Sequence, residues 1–215
     1  MDGDSAADLR RDERRKAILK AASEVFYEEG FAGASMSQIC ARLGGSKGTL
    51  YNYFENKEDL FAAVIDAKCR WFSESVFSDV DETLGVREML LRVGETFLEQ
   101  LSDPVIRLIQ LVISESLRSP EVARIFYENG PEASARRLCQ LLERAKARGE
   151  IDIDDCMSGA HQFLAMSRGD LYFQRLLNLA PPPDHASAQA EIEAAVDLFL
   201  AAHGRPVAAT VQDQP

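Results

Sequence analysis

Side chains that can donate hydrogen bonds are concentrated in one short stretch of the chain, residues 46–54. The stretch carries hydroxyl groups, one amide and one ammonium group, in Ser46, Lys47, Thr49, Tyr51, Asn52 and Tyr53. Groups of this kind bind phosphate oxygens and recognise base edges in the grooves of a duplex. A polar surface helix in any helical bundle would carry similar residues. The pattern alone therefore leaves two interpretations open, a helix that contacts nucleic acid and a helix that is merely solvated.

The flanking sequence predicts a helix-turn-helix that would hold this stretch in place. A helix over residues 35–43 begins at Ser35, which together with Gln38 fits a capping box. Gly44-Gly45 breaks this helix, and a second helix follows over residues 46–54. Helix-turn-helix units occur in many proteins, so this geometry does not by itself establish the function.

The remainder of the chain has helical periodicity, and no stretch alternates apolar and polar residues as a strand would. We expect residues 1–9 to be disordered and residues 204–215 to form a loose tail. Short connections between helices favour an antiparallel bundle, so the predicted fold class is all-α. The predicted helices cover about residues 9–29, 35–43, 46–54, 57–78, 86–102, 104–118, 120–129, 131–148, 154–178 and 186–203.

Residues with catalytic or metal-binding chemistry are scattered along the chain. The three histidines, His161, His185 and His203, are too far apart in sequence to suggest a metal cluster. The four cysteines include no Cys-x-x-Cys pair, and we expect them to be reduced, half-buried thiols; a redox switch stays open as the alternative, although the spacing does not indicate one. They are Cys40, Cys69, Cys139 and Cys156. Since no nucleophile motif is recognisable, the sequence predicts no metal, no cofactor and no enzymatic activity.

The net charge of −11 argues at first against nucleic acid as a partner. However, residues 1–60 contain nine Lys/Arg and eleven Asp/Glu, so most of the negative charge lies in the rest of the chain. Screening acts over about 8 Å at physiological salt, so a locally basic edge can still bind phosphate. No apolar run is long enough for a membrane span, and the N-terminus lacks the pattern of a secretory signal. We therefore expect a cytoplasmic protein without a membrane partner.

Residues 46–60 closely resemble the signature of the TetR (tetracycline-repressor) family of transcriptional regulators, and the resemblance extends over about residues 12–65. The stretch reads Ser-Lys-Gly-Thr-Leu-Tyr-Asn-Tyr-Phe-Glu-Asn-Lys-Glu-Asp-Leu. Family members bind operator DNA as two-fold dimers and release it when a small molecule occupies the C-terminal domain. The resemblance implies a three-helix DNA-binding head at residues 10–56, joined to a C-terminal helical bundle at residues 57–203 for effector binding and dimerisation. A repressor is favoured on family grounds.

The resemblance also implies individual DNA contacts. The start of the recognition helix would contact bases and phosphates, and neighbouring residues would hold the DNA backbone. The expected contacts are Ser46, Lys47 and Thr49 at the helix start, Asn52 on a base or a phosphate, Tyr51 and Tyr53 on phosphates, Lys57 on a phosphate, and Ser35 and Ser37 on the backbone. Arg14 and Arg15 would extend the footprint. Gly45 replaces the larger residue of many relatives, and we expect it to loosen the turn.

Segments between residues 114 and 171 resemble the AefR-like subgroup of C-terminal domains. Apolar residues on several helices of the C-terminal bundle could line a cavity for a small, mainly apolar or aromatic effector, or could equally be plain core. They are Trp71, Phe72, Met89, Phe97, Phe126, Tyr127, Phe163 and Met166. For the dimer interface we select the helices over residues 154–178 and 186–203. In the latter, one stripe combines apolar and small residues, namely Ile192, Ala195, Val196 and Phe199.

Two other functions remain open from the sequence. The first is a protein of TetR fold that binds DNA for an architectural or partner-recruiting purpose, without an effector. The second is a helical enzyme whose N-terminal head only resembles the DNA-binding motif. A metabolite that stabilised the protein and released it from an operator would favour the sensor over both.

Overall fold

The computed structural model describes residues 3–78, 80–81 and 83–204, and within these residues the chain is all-α, without a strand. One isolated antiparallel bridge pairs Ile151 with Gly204. The helices are α1 (Gly3–Gly33), α2 (Met36–Leu43), α3 (Lys47–Tyr51), α4 (Lys57–Phe77), α5 (Val86–Gln100), α6 (Asp103–Glu115), α7 (Pro120–Asn129), α8 (Pro131–Ala147), α9 (Cys156–Met166), α10 (Gly169–Leu176) and α11 (His185–His203). The predicted fold class is confirmed.

Helix α1 begins earlier than the sequence analysis predicted. Residues 3–9, which we expected to be disordered, belong to the helix. This segment contains no proline, and its alanines and acidic residues are types that favour the first turns of a helix. Gly30 adopts a φ of 69° and a ψ of 170°, so the regular path breaks where the sequence predicts the helix to end. The predicted tail from residue 205 onward lies outside the described residues.

The chain forms two compact units. The first comprises the chain up to Trp71 together with Pro104–Gly130, and the second comprises Phe72–Asp103 together with the chain from Pro131 onward. Helix α4 thus contributes residues to both units. The division differs from the predicted boundary after residue 56, because Leu108 and Val112 of α6 share one core with the N-terminal helices.

Aromatic contacts between α1 and α4 form the centre of the first unit. Phe26 and Phe61 are buried, and their ring centroids lie 4.8 Å apart in an edge-to-face arrangement. Phe31, just beyond the break at Gly30, lies 4.7 Å from Phe61. Each fully buried side chain of this size contributes about 1.5–3 kcal/mol to folding. The same core contains Leu50 of α3, and it therefore anchors the helix-turn-helix to α1 and α4.

The second unit is built around contacts of α11 with α5 and α9. At Gly94 of α5, an added Cβ would lie 2.6 Å from Cγ2 of Ile192, so the two helices approach closely because this residue has no side chain. Phe199 makes an edge-to-face contact with Phe163 of α9, with ring centroids 5.6 Å apart. Helix α8 packs along α9 in the same unit.

The stripe predicted to form the dimer interface is the buried face of α11. Its residues, Ile192, Ala195, Val196 and Phe199, are no more than 4% exposed within the single chain. They pack against α5 and α9 and are not available to a second copy, so an interface on α11 must use another face. Helical periodicity identifies an apolar face but does not reveal what covers it. The outward face carries Leu198, which is 64% exposed.

The predicted helix over residues 154–178 is divided in two. Helix α9 ends at Met166, and α10 starts at Gly169, whose φ of 56° lies in the left-handed region that favours glycine. The buried guanidinium of Arg175 donates to the carbonyl oxygen of Leu101 and to Oδ1 of Asp103, which fixes α10 against the α5–α6 connection. Among the described residues, no helix combines the length and the apolar character needed to cross a bilayer.

Candidate nucleic-acid interface

Two serine caps define the start of both helices in the helix-turn-helix. The Ser35 hydroxyl accepts a hydrogen bond from the backbone N–H of Gln38 at 3.3 Å and donates to Oε1 of Gln38 at 2.6 Å. The Ser46 hydroxyl accepts from the backbone N–H of Thr49 at 3.3 Å and lies 2.9 Å from the Thr49 hydroxyl. The predicted cap at Ser35 is confirmed. In a capping box the Gln38 side chain would accept from the backbone N–H of Ser35, whereas in the structure it accepts from the Ser35 hydroxyl. Such caps typically stabilise a helix by about 1 kcal/mol.

Helix α3 is shorter than predicted, because it ends at Tyr51 and Asn52 forms its C-cap. Two residues of the segment point inward, since Leu50 is fully buried and Phe54 is 3% exposed. The residues predicted to contact DNA lie on the other side. Lys47, Tyr51 and Asn52, together with Ser46, are exposed, whereas Thr49 and Tyr53 are half-buried. Of the α2 residues in the prediction, Ser37 is exposed and Ser35 half-buried.

The turn between α2 and α3 is held by a hydrogen bond at Gly45, and Arg14 lies beside it. The Cys40 thiol donates a hydrogen bond to the Gly45 carbonyl oxygen at 3.0 Å. The guanidinium of Arg14 lies near this turn, and a Cβ added at Gly45 would come within 2.7 Å of its Nη2 atom. The absent side chain makes room for Arg14, and the expectation that Gly45 loosens the turn stays a prediction. Gly44, with a φ of 67°, supplies the left-handed residue that ends α2.

Lys57, predicted to bind a phosphate, makes three contacts inside the first unit. Its Nζ donates to the carbonyl oxygens of Phe31 at 2.7 Å and of Ala34 at 3.0 Å, and it lies 4.4 Å from the centroid of the Phe31 ring. These contacts tie the start of α4 to the α1–α2 connection. An ammonium group has three N–H donors, and the two carbonyl oxygens engage two of them. The third N–H of the Lys57 ammonium group is thus the one left for a phosphate, and the phosphate contact stays a prediction.

Two basic residues that the sequence analysis did not assign to packing stabilise the same region. The guanidinium of Arg15 lies 5.5 Å from the Phe54 ring centroid. Arg42 pairs with Glu28 through two hydrogen bonds, one of 2.8 Å, and lies 3.7 Å from Glu24. The pairing with Arg42 lowers the pKa of the Glu28 carboxyl. Because residue 42 is 14 positions from residue 28, no local spacing in the sequence indicates this contact.

The arrangement is thus a short helix with an exposed row of hydrogen-bond donors on a rigid support. Two sequence models match the chain. The model of bacterial regulatory proteins of the tetR family matches residues 18–64, which contain α2, α3 and the start of α4. The model of the AefR-like transcriptional repressor C-terminal domain matches residues 88–205, more than half of the chain. The chain belongs to the TetR family.

Individual TetR-family proteins support this assignment. The regulator UidR from Escherichia coli strain K12 is 31% identical over 144 residues, which cover 65% of this chain and 70% of UidR. A solved structure of a TetR-family regulator from Mesorhizobium loti superposes with a TM-score of 0.84 at 25% identity, over 91% of this chain and 99% of that one. The flavonoid-responsive regulator FrrA is 36% identical, with a TM-score of 0.76, over 91% of this chain and 100% of FrrA. TetR-family proteins are non-enzymatic DNA-binding transcription factors, so the helical-enzyme alternative is set aside.

The residues predicted to line an effector pocket of this TetR-family chain are divided between the two units. Trp71, Phe126 and Tyr127 belong to the first unit, and both Trp71 and Tyr127 are 52% exposed. The second unit contains Phe72, Met89, Phe97, Phe163 and Met166. Within it, Phe72 contacts Phe97 with ring centroids 5.6 Å apart, while Phe163 is fully buried against Phe199. The pocket therefore stays a prediction.

The contacts of Lys57 lead to a first prediction. Replacing Lys57 with Met removes both hydrogen bonds to backbone carbonyl oxygens, so the free energy of unfolding of the first unit should fall by about 1–3 kcal/mol. Urea unfolding monitored by circular dichroism measures this change. The matched control is Lys47→Met on exposed α3, which should leave stability unchanged. Equal stability of the two variants would show that the Lys57 contacts do not support the fold.

Proposed function

We propose that this TetR-family regulator is a homodimeric repressor, which binds a pseudo-palindromic operator and leaves it when a small effector binds. The observation that carries the proposal is the exposed row of donors on α3, on a helix fixed by the Ser46 cap and by the burial of Leu50 and Phe54. Because the backbone of this helix is already ordered, binding DNA costs it less conformational freedom than it would cost an unfolded segment. The family model describes its members as repressors, which supports the sign of the regulation.

The proposed DNA contacts divide into specific and non-specific ones. Lys47 and Thr49 stand at the N-terminal end of α3, where a recognition helix enters the major groove, so they are proposed to choose the sequence. Asn52 could read a base or a phosphate. The remaining contacts are proposed to bind the DNA backbone, and they come from Ser35, Ser37, Ser46, Tyr51, Tyr53 and Lys57. Because backbone contacts are insensitive to sequence, they set affinity and orientation.

A dimer is proposed because one short helix reads too few bases for a specific site, whereas two heads can read adjacent major grooves. The buried stripe of α11 is excluded by its packing, so the proposed interface is the outward face of that helix. On this face, the exposed Leu198 lies in line with Ala194 and Ala201, and small residues allow close approach of a second helix. Ala165, on the exposed side of the adjacent α9, would extend the surface.

The effector proposal is supported by composition and by one relative. The predicted pocket residues are apolar or aromatic, and FrrA, with 36% identity, is described as flavonoid-responsive. We therefore propose a small, mainly aromatic or apolar effector for this chain. Burial of Met89, Phe97 and Phe163 inside the second unit favours the alternative for those three positions, namely plain core. The alternative for the whole chain is a TetR-fold DNA-binding protein with an architectural or partner-recruiting role and no effector.

The operator proposal makes the second prediction. Selection from a random duplex pool should enrich an inverted repeat whose half-sites are centred about 34–36 Å apart. On that site, Lys57→Ala should reduce the slope of log affinity against log salt by about one unit, because it removes a proposed phosphate contact, whereas Lys47→Ala and Thr49→Ala should each change which sequence is enriched. Asp170→Ala, on α10 of the second unit, is the control and should alter neither property. Enrichment of a sequence without two-fold symmetry would contradict the proposed mode of binding.

The third prediction concerns the dimer interface. Leu198→Glu places a charge on the outward face of α11, so the variant should become monomeric by light scattering while its thermal unfolding stays cooperative. Val196→Asp serves as the contrasting variant, because a charge at this fully buried position should unfold the second unit. A Leu198→Glu variant that remained dimeric would move the interface away from this face.

The fourth prediction concerns the effector. A panel of flavonoids and other aromatic compounds should contain one compound that raises the melting temperature of the protein and weakens its binding to the operator about 5–150-fold. Operator DNA should weaken the binding of that compound to the protein by the same factor. Helix α4 starts at Lys57 and carries Trp71, the only tryptophan, so a signal carried by this helix should change the emission of Trp71. A compound that releases DNA without changing this emission would exclude α4 at this point as the route. If no compound in a broad panel releases DNA, the alternative without an effector is favoured.

A further inference from the structure

A cavity in the second unit brings together two cysteines that the sequence separates. The cavity has a volume of about 550 Å³ and lies between α8 and the start of α9. Cys139 and Glu143 of α8 line one side, and Cys156 and Met157 of α9 line the other. The two thiols are 17 positions apart in the sequence, with no motif that connects them. The pairing is therefore visible only in the folded chain.

One hydrogen bond ties the two sides of the cavity together, and a helix cap fixes the start of α9. Lys146 of α8 donates from Nζ to the carbonyl oxygen of Ile153 at 2.6 Å, which ties the connecting loop back along α8. Asp155 caps α9 by accepting hydrogen bonds from the backbone N–H groups of Met157 at 2.9 Å and Ser158 at 3.1 Å. Cys156 is thereby fixed as the first residue of α9. Cys139 is half-buried, and its thiol lies 3.8 Å from Oε1 of Glu143.

We propose that Cys139 and Cys156 form a site of reversible oxidation, at which a hydroperoxide converts the two thiols into an intramolecular disulfide. One thiolate attacks the peroxide and takes up one oxygen as a sulfenic acid, with the release of water or an alcohol. The second thiol then attacks the sulfenic sulfur, forms the S–S bond and releases water. Two thiols are oxidised by two electrons, and one peroxide O–O bond is reduced. A disulfide requires Cβ atoms about 3.5–4.5 Å apart, so the two side chains that line this cavity must approach to that distance when the bond forms.

The surroundings determine how fast the site reacts. Burial raises the pKa of both thiols, and the Glu143 carboxylate raises it further, while Lys146 opposes the increase at Cys156. Asp154 and Asp155 face the same cavity and add negative charge. Since the thiolate is the reactive form, oxidation should be slow at neutral pH and should accelerate as the pH rises. Millimolar peroxide at about pH 8–9 is therefore the condition in which we expect the disulfide to form.

The other two cysteines provide an internal comparison. Cys40 is 5% exposed, with its thiol engaged by the Gly45 carbonyl oxygen, and Cys69 is 4% exposed, with a pKa raised by burial to about 12. Both belong to the first unit and neither lines the cavity. A general oxidation of the protein would affect all four thiols according to their exposure. The proposed site instead predicts one specific pair.

Peptide mapping tests the proposal on the intact chain and does not depend on operator binding. The folded protein is treated with peroxide, denatured, alkylated and digested with trypsin, which places the two cysteines in separate peptides, residues 138–144 and 149–168. The expected product is these peptides joined by a disulfide, lighter by two hydrogen atoms than their sum and separated by dithiothreitol. The peptides containing Cys40 and Cys69 should be recovered alkylated. Cross-links between chains, links to Cys40 or Cys69, or full alkylation of all four thiols would overturn the proposal.

Two variants and one stability measurement complete the test. Cys139→Ser and Cys156→Ser should each abolish the linked peptide, whereas Cys40→Ser should retain it. Because Cys156 is buried, unfolding of each variant is followed to confirm that it is folded at the temperature of oxidation. In the chain without substitutions, formation of the disulfide should raise the melting temperature by about 5–10 °C, because closing a loop of this length restricts the unfolded state. If the linked peptide were found only when the protein had been heated during oxidation, the disulfide would form in the unfolded chain, contrary to the proposal.

Discussion

The recognition helix is too short to exist without the structure around it. Helix α3 has five residues, whereas isolated helices need about 12–15 residues to be even marginally stable in water. Its conformation therefore depends on burial of Leu50 and Phe54 in the core of the first unit and on the Ser46 cap. On the polar side of α3, Lys47 and Tyr51 are exposed, whereas Thr49 is half-buried. Burial on one side thus makes an exposed row of donors on the other side available for DNA.

Helices α1 and α4 support α3, and a small number of contacts of different physical kinds join these two helices to each other. Phe26, Phe31 and Phe61 supply the apolar contact between these helices. Lys57 adds directional bonds, because its ammonium group joins the start of α4 to the carbonyl oxygens beyond the Gly30 break. Its positive charge is thereby held at the edge of the head, where a phosphate would approach. One side chain can in this way serve the fold and the proposed interface together.

The sequence was sufficient for the fold class, for the helix-turn-helix and for the caps, because these depend on local periodicity and on residues three or four positions apart. It could not predict what covers an apolar face, and the stripe at Ile192 was accordingly assigned to a second copy although α5 and α9 bury it. Contacts between distant positions, such as Arg42 with Glu28 or Arg175 with Asp103, leave no local pattern. The break between α9 and α10 was missed because apolar periodicity continues across it, while the backbone turns at Gly169. Comparison with related chains established the family, and the individual DNA contacts remain predictions.

Gly45 leaves the guanidinium of Arg14 room to lie beside the turn between α2 and α3. A side chain at position 45 would displace that guanidinium, which can move at little cost because it is the free end of a flexible side chain. A substitution at Gly45 would therefore move a positive charge next to the recognition helix while Leu50 and Phe54 stay buried.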